Sequence, residues 1–179
     1  MDYNKLIDQC HSTAKANGWW DEPRPHEEII LLIKSELFEA MDAYRSDKRA
    51  CKDDLLQIQL CSHARAFKTI FEICLKDTFE DEIADTTIRI FDYLGFLGVH
   101  ANIVGDIPIF TEVKFMEVLQ KLDTKLSNMY TMDLLEFRLM DVLEHLYLIA
   151  KVYDFDLHTH IQLKLRYNAT RGKKHGKKF

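Results

Sequence analysis

Residues 26–45 read HEEIILLIKSELFEAMDAYR, and this stretch decides the fold class. Apolar side chains recur at Ile29, Leu32, Ile33, Ala40 and Ala43, which is one face of a helix with 3.6 residues per turn, and Pro25 in front of them pre-sets first-turn geometry. The pattern predicts a helix from Pro25 through about Arg45. Working outward, no Gly or Pro interrupts the chain between His26 and Leu94. Six Gly and three Pro in 179 residues make about 5%, against roughly 12% in an average chain, so tight turns and hairpins are scarce. The expected class is all-α, a helical bundle.

The same period appears upstream, where Leu6, Ile7, Cys10 and Ala14 predict a helix over 2–17 with Gly18 just past its end. Trp19 to Pro25 holds two of the three prolines and reads as irregular. Downstream, the polar patch Arg45 to Asp54 divides the uninterrupted run, giving one helix over 54–75, and Thr78 with Asp81 resembles a capping signal for another over 79–94. Residues 26–94 thus read as three helices. Gly95, Gly98, Gly105 and Pro108 mark a loop over 95–110. A helical period from Val113 to Leu126 follows Thr111, a second one over 134–153 follows Thr131, and a short last helix spans 157–168. Nothing in the composition divides the chain, so one domain is expected over 1–171. A basic tail over 172–179 follows, expected to be disordered until it meets an anion.

The balance of 24 basic and 29 acidic side chains, with 47% hydrophobic residues, is that of a globular domain. The apolar stretch Ile29 to Ile33 is far short of the ~20 residues that span a bilayer, and Asp2, Asn4 and Lys5 do not resemble a secretory leader. No membrane partner and no secretion are expected. Cys10, Cys51, Cys61 and Cys74 form no CxxC pair and lie in helix-like segments, which predicts reduced thiols, no zinc site and a cytoplasmic location. The charge is uneven: all 29 acids lie at or before Asp156, and the seven basic residues beyond it have no acidic neighbour. The body is acidic and the tail basic. By pattern alone, such a tail is a solvated end or a loose nucleic-acid contact.

Acidic side chains three apart share a helix face and can share a cation. Six such pairs occur, at 36/39, 39/42, 77/80, 82/85, 133/136 and 141/144, and chance alone would give roughly five, so context has to select among them. Glu36 stands out because it sits inside the apolar stripe of its own helix, where an unpaired carboxylate is costly. Two readings stand: Glu36 is relieved by a metal, or it lies at the stripe's margin and pairs with Lys34 or a residue of another helix. Glu82 and Asp85 are also open to two readings, since Arg89 four residues after Asp85 could form an ordinary surface pair with it. A ferritin-like di-iron site is excluded, because none of the eight histidines follows a Glu by three residues.

The string Glu36-Leu-Phe-Glu39, followed by Glu82-Ile-Ala-Asp85, resembles the Glu-x-x-Glu and Glu-x-x-Asp pair of the MazG-like all-α nucleoside triphosphate pyrophosphohydrolases. The ending from Lys164 through Tyr167-Asn168, Arg171 and His175-Gly176 is similar to the tail of many members. The resemblance covers about residues 1–98 and 151–179. It departs from the family pattern in the 42 residues between Glu39 and Glu82, in extra helices over 105–150, and at Arg89, where an apolar or aromatic residue is expected.

The resemblance implies that Glu36, Glu39, Glu82 and Asp85 ligate one or two Mg²⁺ ions, with Mn²⁺ able to substitute, and that Glu39 orients a water for attack at the α-phosphorus. The expected reaction converts a (d)NTP to a (d)NMP and pyrophosphate. Lys164, Asn168 and Arg171, at i, i+4 and i+7, are the expected donors to the β- and γ-phosphates, with Arg89 a further candidate that either reaches a phosphate or holds Asp85. His11 and Trp20 match the spacing of base-pocket residues in the deoxycytidine triphosphatase branch, and Trp19 could take the place of Trp20. A homodimer or homotetramer is implied, with no specific nucleic-acid partner, acting in a cell or in a virus-infected host. The competing class is a non-catalytic helical module that binds nucleic acid or an acidic partner through its basic end.

Overall fold

The computed structural model describes residues 2–99, 114–129 and 133–176. Eight α-helices occupy them, and no strand occurs among the described residues: α1 (Tyr3–Ala16), α2 (His26–Arg45), α3 (Lys52–Leu60), α4 (Ala64–Cys74), α5 (Phe79–Phe96), α6 (Phe115–Ser127), α7 (Leu135–Val152) and α8 (Leu157–Asn168). The all-α bundle read from the periodicity is the observed class. None of the described helices is long and apolar enough to cross a membrane.

The middle of the bundle is α5, which packs against α1, α2, α7 and α8. That placement follows from composition: Ile83, Ala84, Ile90, Phe91 and Leu94 form one broad apolar face of the helix and all are buried. The facing stripes are Leu6, Ile7 and Cys10 on α1, Ile33, Leu37 and Ala40 on α2, and Ile161 and Leu165 on α8, joined in one core cluster. Each fully buried Leu, Ile or Phe contributes on the order of 1.5–3 kcal/mol, so the position of α5 is fixed from four sides. Thr78 caps it, its Oγ1 accepting from Asp81 N at 3.3 Å, and Asp81 Oδ2 in return accepts from Asp77 N at 3.1 Å.

The single helix expected over 54–75 is two helices. Residues 61–63 are extended, His63 caps α4 through Nδ1, and the carbonyl of Cys61 accepts from Arg166 of α8. The break lets α3 and α4 fold back on each other and bury Ile58, Phe67, Phe71 and Leu75 against Leu163 and Tyr167 of α8, the Phe71 and Tyr167 rings stacking at 4.5 Å. A continuous helix would leave most of that apolar surface in water.

The loop expected from Gly95 begins later, because α5 continues to Phe96 with Gly95 inside it at the crossing with α1. Residues 100–110 of that loop, with Thr111 and Thr131, lie outside the described residues. Gly18 does end α1 as read, at φ +78°, a conformation that favours glycine. The expectation of an unordered tail fails for its first part. Lys174 N donates to Asn17 O at 2.8 Å, Lys173 Nζ reaches Asp21 Oδ2 at 2.5 Å, and the His175 ring meets Trp19 edge-on, so residues 173–176 fold back onto the end of α1. Residues 177–179 lie outside the described set.

Candidate metal centre and cleft

The helix periods converge on one cleft of about 230 Å³ between α1, α2, α5 and α8. On α5, Glu82, Asp85, Arg89 and Asp92 stand at i, i+3, i+7 and i+10, a single face, and all four line the cleft. From α2, Glu36 and Glu39 enter it, Glu36 buried within its apolar stripe and Glu39 exposed at the edge. From α8 come Lys164 and Asn168, four residues apart on its cleft side, and Arg171 follows from the turn after the helix rather than from the expected i+7 position on it.

Carboxylate oxygens of Glu36, Glu82 and Asp85 lie within 4.8 Å of one another. Glu39 is not part of this group, so among the described residues three of the four expected ligands converge. Two cations hold the cluster together. Arg89 Nε donates to Glu36 Oε1 at 2.6 Å, and its Nη2 contacts the same oxygen. Lys164, only 4% exposed, places Nζ 2.6 Å from Asp81 Oδ2 and 2.8 Å from Asp85 Oδ2. Arg89 therefore does not pair with Asp85 on its own helix as one reading has it; it holds Glu36, which has the partner from another helix that one of its two readings requires. Lys164 is likewise engaged by acids of α5 at the cleft wall.

The electrostatics follow from burial. Burial raises the pKa of Glu36, Asp85 raises it further, and Arg89 only partly opposes this. Burial also pushes Asp81 up against the pull of Lys164. For Glu82 burial is again the main cause, opposed by Lys164 and aided by Asp85 and Asp81, and the carboxyl is pushed up to about 9. No hydrogen bond or close ion pair reaches the Glu82 carboxylate among the described residues. Four carboxylates, Glu36, Asp81, Glu82 and Asp85, face two cations, Arg89 and Lys164, which leaves two negative charges when all are ionised. A divalent ion would relieve that excess. The donor set is all hard oxygen, which suits Mg²⁺ or Mn²⁺.

At the other end of the cleft the expected base residues are present in a different arrangement. His11 Nδ1 and Trp20 Nε1 each lie 2.8 Å from Asp92 Oδ1, and the Trp20 ring stacks on Phe96 at 4.3 Å. Neither His11 nor Trp20 lines the cleft; Trp19, Arg24 and Asp92 do. Arg24 lies beside both indoles, its guanidinium carbon 5.6 Å from the Trp19 ring and 5.5 Å from that of Trp20. Sequence reasoning missed Asp81, Asp92 and Arg24. The signal for Asp92 was its place on the Glu82, Asp85, Arg89 face, whereas Asp81 read as a cap alone and Arg24 had no periodic neighbour. Asn168 Oδ1 is buried on the cleft side with no hydrogen-bond partner among the described residues.

Comparison with protein-family models, curated proteins and solved structures finds no match for this chain.

Proposed function

We propose that this protein is a divalent-cation-dependent nucleoside triphosphate pyrophosphohydrolase that releases pyrophosphate from a (d)NTP and leaves a (d)NMP. The observation that carries the reading is the convergence of Glu36, Glu82 and Asp85 from two helices on one oxygen-lined point, inside a cleft that also presents Lys76, Arg171 and Asn168. In this reading Glu36, Glu82 and Asp85 hold Mg²⁺, for which Mn²⁺ can substitute. When bound, that ion supplies charge neutralisation on the phosphate oxygens and acidifies water.

The remaining roles fall to the chain's own side chains. Glu39, exposed at the cleft edge, orients the attacking water and accepts its proton as the oxygen adds to the α-phosphorus and the bond to the bridging oxygen breaks. Lys76 and Arg171 offer donors to the departing pyrophosphate, and Asn168, whose carbonyl oxygen is unpartnered among the described residues, positions the sugar or a phosphate. Trp19 and Arg24 form the surface against which a base would lie, with His11 and Trp20 fixing Asp92 beneath it. Leu31 and Phe38, 63% and 42% exposed one heptad apart on α2, are apolar surface that a homodimer or homotetramer would cover. Action in the cytoplasm of a cell or an infected host belongs to the same reading.

The test is pyrophosphate release from each standard dNTP and NTP with Mg²⁺ or Mn²⁺, using Glu36→Gln as the control. Metal-dependent release that Glu36→Gln abolishes is the expected result. A folded protein that releases none from any of them refutes the reading for those substrates.

A further inference from the structure

Arg89 occupies an unusual position for a buried cation. Both of the guanidinium donors that engage Glu36, Nε and Nη2, meet a single oxygen, Oε1. Glu36 is also one of the three acids whose oxygens converge, so the same carboxylate is offered to an internal cation and to an external one. Lys164 differs, because it binds Asp81, which is outside that convergent group, and so keeps a partner whatever happens at Asp85. Arg89 has no second carboxylate at bonding distance among the described residues, and about a quarter of its side chain faces the cleft.

We infer that Arg89 is an exchangeable counter-cation: it holds Glu36 when the cleft is empty, yields Glu36 to a divalent ion, and is thereby freed to bind the anionic ligand that arrives with the ion. The inference rests on the metal-dependent reading above. A buried carboxylate needs one compensating charge and cannot fully engage two, and a guanidinium and a divalent ion held on one carboxylate repel each other over a few ångströms of low-dielectric protein. Release has a destination. Arg89 lines the same cleft as Lys76 and Arg171, where a polyphosphate would carry several negative charges to it. Arginine here therefore opposes metal loading in the empty protein and favours anion binding in the loaded one, an exchange of partners that neither a purely structural arginine nor a permanent phosphate ligand would produce.

The experiment measures Mg²⁺ binding to the full-length wild type, Arg89→Leu and Arg89→Lys by calorimetry without nucleotide at pH 8.5, then inorganic tripolyphosphate binding to each Mg²⁺-loaded protein. With linked sites commonly coupled by 5- to 150-fold, Arg89→Leu is expected to bind Mg²⁺ about tenfold tighter and tripolyphosphate about tenfold weaker than wild type. Arg89→Lys, which keeps the charge but loses the fork, is expected to fall between them, and it carries the test if Arg89→Leu does not fold. Equal or weaker Mg²⁺ binding by the folded variants overturns the exchange while leaving the metal reading in place. Absence of Mg²⁺ binding from wild type and variants alike overturns both.

Discussion

Asp92 Oδ1 accepts the indole N–H of Trp20 at 2.8 Å, joining the C-terminal part of α5 to the irregular segment that follows α1. The same oxygen lies 2.8 Å from His11 Nδ1, so one carboxylate oxygen ties two segments to the wall of the cleft. Asp92→Ala strands a mostly buried indole donor and an imidazole together, and is expected to cost about 1–3 kcal/mol. For a domain of this length that lowers the thermal midpoint by about 2–4 °C per kcal/mol. Asp92→Asn retains one acceptor and should lose less. A Trp20 fluorescence shift on Asp92→Ala would accompany the loss, whereas unchanged melting and emission would mean that the two bonds are replaced by water at no cost.

Gly95 offers a case in which two effects oppose each other. Alanine is favoured over glycine inside a helix by roughly 0.5–1 kcal/mol. A Cβ at Gly95, however, would stand 2.5 Å from His11 Cβ and 3.3 Å from the Ile7 carbonyl oxygen, contacts that require α1 and α5 to move apart. Forced separation of packed helices costs typically about 1–3 kcal/mol, so the clash wins and Gly95→Ala destabilises. Urea titration would show a lower midpoint at similar slope. A stabilised variant would show that α1 can shift on α5 at little cost.

The two cases also show where sequence reading succeeds. The helix class and the bounds of α2 and α8 were legible because apolar spacing and Pro25 are local signals. The apolar setting of Glu36 was legible too, since its neighbours at i−7, i−4, i−3, i+4 and i+7 are apolar, and the residue is indeed buried. What pairs with it was not, because Arg89 lies 53 residues away and only the packing of α2 on α5 puts it there. Gly95 read as a loop residue, since a glycine that permits close approach of two helices looks the same in sequence as one that ends a helix. The break at Cys61–His63 failed for a similar reason: its stabilising partner, Arg166, arrives from α8.

Lys164 distinguishes a cluster-holding lysine from a ligand-holding one. Its Nζ is bonded to Asp81 and Asp85; burial acts against its charge, but those acids together hold its pKa above the usual lysine range. Removing one member of a buried ion pair leaves uncompensated charge and costs typically about 3–5 kcal/mol. Lys164→Met should therefore lower stability by that order in the absence of any nucleotide, and adding Asp81→Asn to it should restore part of the loss. Chemical denaturation of the two variants checks both statements. A Lys164→Met protein as stable as wild type would instead mark this lysine as a group reserved for the substrate.

Glu82 links stability, protons and metal. Its carboxyl is pushed up to about 9 in the folded protein by burial, above its ordinary value of 4.5. The folded state thus holds a proton that the unfolded state releases, so this contribution is fully present below about 4.5 and is progressively lost as pH rises to about 9. Burial shifts Glu36 and Asp81 in the same direction, and the raised pKa of Lys164 exerts its effect only above this window. In chelator, the melting temperature should fall between pH 6 and pH 9. A divalent ion must displace the proton from Glu82, so the stabilisation gained on adding Mg²⁺ should grow over the same range. Glu82→Gln cannot ionise and should flatten both trends. A Mg²⁺-induced gain that is constant from pH 6 to pH 9 would show that Glu82 is not a ligand.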